Sequence, residues 1–179
     1  MTGRRAARGS TLIEVLIALL VACIGLLAMA RLSAASLSHQ KSAQMRLMGQ
    51  NLAQQYAEHA RLNVYGFDLG AYDLGLDSAA PADAILDANA TDLVAATAVA
   101  QADQRAFLQT VALVLPEGRA QVISRPSATA RDLDVWLLWR DTPADAADNL
   151  SAAATRQCPQ GLDDDDRRGA SCMHFRVGL

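Results

Sequence analysis

The chain has 179 residues, half of them apolar but only 4% aromatic, and a formal net charge of −3. That length holds one modest domain plus an appendage, and part of the apolar content is spent on an N-terminal run, so the remainder builds a small core. The charge excludes a chain that is basic throughout, as general nucleic-acid binding requires.

The sign of the charge changes along the chain. The first nine residues carry Arg4, Arg5 and Arg8 and no acid; without them 13 basic residues face 19 acidic ones, a net of −6. A basic start followed by an acidic remainder predicts a cytoplasmic N-terminus and an exported head. Across residues 11–30 the only charged residue is Glu14. Twenty helical residues span roughly 30 Å, the thickness of a bilayer core. A carboxylate inside such a segment costs about 2.5–3.5 kcal/mol at the helix centre, and it calls for a partner. A cleaved secretory signal fits poorly, because the run is longer than a usual signal core and no convincing small-x-small cleavage site follows before the helical pattern resumes. A plain membrane anchor leaves Glu14 unexplained.

The stretch RGSTLIEVLIALL resembles the class III signal of type IV pilins and pseudopilins. The resemblance implies a cut by a prepilin peptidase between Gly9 and Ser10, and methylation of the new N-terminus. Glu14 then becomes the fifth residue of the mature chain. In that family the glutamate faces the N-terminal amine of a neighbouring subunit, so Glu14 is expected to serve assembly. Most members begin the mature chain with phenylalanine, where this chain has Ser10. The resemblance also implies an α+β fold of lollipop form, with a long N-terminal helix packed on a small antiparallel sheet. The expected divisions are a leader at 1–9, a membrane and assembly helix at 10–30, an amphipathic half of the same helix at 31–63, and a head at 64–179.

Beyond residue 30 the helical pattern continues to about Leu62. Met45, Met48, Leu52, Tyr56 and Ala60 form one apolar stripe that predicts packing on a sheet. Residues 64–93 contain Gly66, Gly70, Gly75 and Pro81 and read as a connecting loop. The aspartates at 68, 73, 77, 83 and 87 lack the alternating spacing of a calcium loop, so no metal is expected. Residues 101–115 predict a helix with Ala106, Phe107, Leu108, Val111 and Leu115 on its apolar face, stopped by Pro116 and Gly118. GRAQVIS, DLDVWLLWRD and SCMHFRV predict three strands. Trp136 and Trp139, three apart, are expected on opposite faces of the second. Met173, Phe175 and Val177 alternate with Cys172, His174 and Arg176 in the third.

Cys23 lies in the apolar run, where it acts as a small apolar residue. An exported compartment lets Cys158 and Cys172 pair. In pilins a disulfide bounds a C-terminal loop, and the resemblance implies that role for this pair. Residues 163–166, all aspartate, are expected at its solvated tip. His39, His59 and His174 are scattered, and no metal-spaced histidines, Cys-x-x-Cys or phosphate loop appears. No catalytic residue and no cofactor are expected; the chain reads as a substrate of the peptidase and not as an enzyme.

Within the family the layout, with LPEGRAQV and a strand closing in WRD, resembles the PilV subgroup of minor pilins. Major pilins usually carry a proline in the membrane helix, and residues 15–30 contain none. The implied role is to prime or modify filament assembly. The implied partners are other minor pilins, the major pilin, the prepilin peptidase and the inner-membrane assembly platform, with no nucleic acid. The expected location is a single pass of the inner membrane with a periplasmic head, then the pilus surface. A minor pseudopilin of a type II secretion system is the first alternative. A DNA-uptake or adhesion protein is the second. It predicts a basic, aromatic patch among Arg119, Arg125, Arg131, Arg140 and Arg176.

Overall fold

Residues 12–62 contain no proline and are rich in Leu, Ala, Met, Gln and Arg, all strong helix formers. They form one helix, α1, Leu12–Leu62. The computed structural model describes residues 12–83, 89–127, 129–140, 157–167 and 170–179. The leader, Gly9 and Ser10 lie outside these, as do Asp87 and residues 141–156. The chain divides into two compact units, Met1–Gln40 and Lys41–Leu179, and α1 contributes to both.

In the second unit α1 buries Gly49, Leu52, Ala53, Tyr56, Ala57 and Ala60 at helical spacing. This is the predicted stripe widened by small residues, with Met45 and Met48 half-buried at its start. Smallness matters at Gly49, where an added Cβ would stand 3.3 Å from Leu137 Cδ1. The helix gives way at Asn63. Its side-chain oxygen accepts from the Gly66 N–H at 3.1 Å and caps helix α2, Val64–Asp68. Its amide donates to the Ala96 carbonyl at 2.8 Å.

The segment expected to be a loop therefore begins with a helix, and it contains two further ordered features. Leu74 pairs with Val122 as an antiparallel bridge, both backbone bonds 2.9 Å. Helix α3, Asp92–Val114, starts well before residue 101. It buries Ala100, Gln104, Phe107 and Val111, and Leu115 follows in the same row. Ala106, expected on that face, is exposed because it lies one position round the helix from the row. A tight turn ends α3: Gly118 N–H donates to the Leu115 carbonyl at 2.9 Å, with Pro116 second and Glu117 at φ 51°. A Cβ on Gly118 would lie 2.5 Å from the Val111 carbonyl, so this close approach admits only glycine.

Strands β1, Arg119–Pro126, β2, Arg131–Arg140, and β3, Ala170–Gly178, form an antiparallel sheet in that order. The inner face carries Ala120, Val122, Leu133, Val135, Leu137 and Trp139, with Met173, Phe175 and Val177 packed beside them. These close the main core with α1, α2 and α3. Tyr56 stacks on Phe107 at 4.4 Å and meets Tyr72 edge-on at 5.6 Å. Trp139 faces the core and Trp136 faces the other side, as the spacing predicted. The fold is thus α+β, with a long helix on a three-stranded antiparallel sheet.

Candidate functional site

The first feature with functional content is the N-terminal part of α1. Among residues 12–40 every described side chain is exposed, and the apolar window there has a mean hydropathy of 2.8. No part of that window is buried within the chain. A stretch this apolar is stable in water only when something else covers it, so its partner is lipid or protein. Glu14 is exposed in the first turn of the helix, where a negative charge also suits the helix dipole. Thr11 precedes it at the capping-box spacing in the sequence. The segment therefore combines an apolar surface with one acid in its first turn.

Among the described residues of the segment after α1, Asp68, Asp73, Asp77 and Asp83 are engaged by distant partners. Both oxygens of Asp68 accept from Arg131 at 2.7 Å. Asp73 accepts from the Ser124 N–H at 2.5 Å and from its hydroxyl at 2.6 Å. Asp77 pairs with Arg119 at 3.1 Å, and Asp83 pairs with Arg105, which also donates to the Pro81 carbonyl. The hydrogen bonds from Arg131 hold the Asp68 carboxyl below its usual range. This acidic run is a strap pinned to the head.

Cys158 and Cys172 form a disulfide, with Cα atoms 4.9 Å apart. The loop it closes packs on the outer face of the sheet, where Leu138, Leu162 and Cys172 make a second apolar cluster with Leu76, Trp136 and Cys158 around it. Among the described tip residues Asp163 and Arg167 are exposed and Asp166 is half-buried; residues Asp164–Arg167 form a short helix, α4, and Asp166 accepts from Arg119 at 2.5 Å. Arg119 thus joins Asp77 and Asp166, and these bonds, led by that from Asp166, raise its pKa.

The remaining outer face holds a network that sequence reasoning missed. Asp134, on β2, is fully buried. Its Oδ1 accepts from Arg176 Nε at 2.9 Å and lies 3.0 Å from His174 Nε2. Its Oδ2 accepts from Arg176 Nη2 at 3.1 Å and from Arg125 Nε. The Arg176 bonds lead in holding this carboxyl far below its usual range, against the opposing effect of burial; Arg125 and His174 add to them. His174 stacks on Trp136 at 4.5 Å and 21°. The signal for this network was alternation: Asp134, Trp136, His174 and Arg176 all fall on outward positions. Of the five arginines considered together, only Arg125 and Arg176 converge. Arg131 pairs with Asp68, Arg119 pins two loops, and Arg140 bonds Glu117 at 3.0 Å.

A second network joins α1 to α3. The Tyr72 hydroxyl donates to Asp103 Oδ2 at 2.7 Å, and His59 Nδ1 lies 3.0 Å from Asp103 Oδ1. The Tyr56 hydroxyl donates to the Tyr72 carbonyl at 2.8 Å. Burial leads in raising both tyrosine pKa values; Tyr72 and then Asp103 add to it at Tyr56, and the bond to Asp103 adds to it at Tyr72. His59 and His174 each sit on an aspartate, and these pairs fasten elements of the head.

Comparison with known proteins adds one match. Residues 4–30 match the family described as the prokaryotic N-terminal methylation motif. No curated protein and no solved structure matches the chain. That motif, the exposed apolar helix that carries it and the α+β head support a pilin-like protein, a component of a type IV pilus or a related pseudopilus.

Proposed function

We propose that this chain is a minor pilin of the type IV pilus, of the PilV kind, which primes or modifies filament assembly. The observation that carries the reading is Glu14 in the first turn of an exposed apolar helix, inside a prepilin motif. In this reading a prepilin peptidase cuts between Gly9 and Ser10, and the new N-terminal amine is methylated. The amine of one subunit then faces the Glu14 carboxylate of its neighbour. Each charge is costly in an apolar bundle, and pairing them compensates both. A neighbour in the wrong axial register leaves a buried charge uncompensated, so the pair selects register. Before assembly the chain is held by one pass of the inner membrane, with its head in the periplasm. Its role is structural, and the chemistry is done to it by the peptidase.

The absence of proline from residues 15–30 supports a minor over a major subunit. A minor pseudopilin of a secretion machine shares the motif and the helix, and is the second reading. The test is the intact mass of membrane-extracted protein from cells with and without a prepilin peptidase. The expected result is loss of residues 1–9 only when the peptidase is present, with a methyl group on Ser10. An uncut chain in both strains sinks the proposal. Copurification with pilus filaments, compared with a secretion pseudopilus, then separates the two machines.

A further inference from the structure

We infer that the outer sheet face around Asp134 is a phosphate-binding site, suited to phosphate carried beside a flat, stackable group. The register places Ile123, Asp134 and Arg176 in one cross-strand row, and Gln121, Trp136 and His174 in the next. Next-but-one residues along a strand are about 7 Å apart on one face, so these two rows form one small patch. The Asp134 side chain is 1% exposed, whereas those of Arg125 and Arg176 are 55% and 56% exposed. The acid lies beneath and the guanidinium groups lie above.

Asp134 uses Nε of Arg125, and Nε and Nη2 of Arg176. Among the described contacts, both Nη groups of Arg125 and Nη1 of Arg176 carry no other bond. A buried carboxylate thus holds two planar forks in place with donors left over, which is how arginines are prepared to bind an oxyanion. The neighbouring acid is Asp132, opposite Arg125 in the next row. The stacked Trp136 and His174 rings lie alongside, and aromatic rings beside arginine are the elements that hold single-stranded nucleic acid. The net charge of −6 beyond the leader argues against such a ligand only as an average. Much of that negative charge is pinned to arginines elsewhere in the head.

The test uses the full chain in detergent micelles. The probes are inorganic phosphate and a fluorescein-labelled single-stranded oligothymidylate, read by anisotropy across a salt series. Saturable binding of the oligonucleotide, weakened by salt and competed by phosphate, is expected. Arg125→Gln should lower the slope of affinity against salt by about one, and Arg140→Gln, off the patch, should leave it unchanged. If Arg125→Gln melts early, Arg125→Lys replaces it: charge is kept, the fork is lost, and affinity should fall with the slope retained. Arg125-dependent binding of phosphate with no gain for the oligonucleotide supports the site and assigns it to a free phosphate. Tighter oligonucleotide binding assigns it to a nucleic-acid strand. Three results overturn the inference: no saturable binding of either probe, equal loss with Arg140→Gln, or an oligo-aspartate peptide that competes as well as the oligonucleotide.

Discussion

Residues 12–40 and the head solve opposite problems. The first region displays its apolar side chains and buries none of them. The head buries Trp139, Tyr56, Tyr72 and Phe67 and fastens its charged loops with arginines. A region that completes its own core can be damaged by substitution inside it. A region completed by lipid or neighbours can be damaged only in their company. Stability and assembly should therefore separate by position in the chain.

The largest effect should come from Phe107→Ala, which removes the ring stacked on Tyr56 and should cost the head about 3–5 kcal/mol, measured by denaturant unfolding. Next is Cys158→Ser. The disulfide joins residues 14 apart, and losing such a closed loop should cost about 3 kcal/mol in the chain-entropy model and open residues 157–167 to protease. An unchanged cleavage pattern would show that the Leu138–Leu162 cluster holds the loop unaided. Third is Gly49→Val, which drives a side chain into Leu137 and should cost about 1–3 kcal/mol.

Acid should act on the head in a defined window. The Asp134 carboxyl is held well below its ordinary value of 3.8, chiefly by Arg176. A depressed folded-state value means that its stabilisation is complete above the unfolded value and is lost as pH falls through the folded one. Stability should thus decline from about pH 4 downward, and Asp134→Asn should flatten that decline. An equally steep decline in the variant would assign the acid sensitivity elsewhere. The smallest effect on the head should come from Glu14→Gln. This change keeps the capping spacing and removes the charge. Head melting should not move, while incorporation into filaments should fall sharply. Normal incorporation would show that the charge is not used, and would break the contrast between the regions.

What could be read in advance followed local period and offset. Glu14 stood out as one acid in an apolar run, and the strands as alternation that also sorted Trp136 from Trp139. The first turns of α3 were invisible for a physical reason. ATAVAQA offers alanine on every face, so no stripe marks the buried side. Helix α2 hides behind Gly66, which lies inside it and reads as a breaker. The Asp–Arg pins were equally hidden, since Arg131 finds Asp68 63 positions away. The Asp134 network needs three strands in register before its members meet. Alternation puts His174 and Arg176 on one face of their strand, but their partners are set by the sheet.

The double bond of Arg119 to Asp77 and Asp166 bears on how this head can diversify. The strap after α2 and the disulfide-closed loop share one clasp, so a deletion in either one slackens the other. Insertions that preserve the clasp can lengthen either loop, whereas loss of Arg119 removes one pin from both at once. A change at Arg119 therefore acts on two segments that lie 42 and 47 positions away from it in the chain.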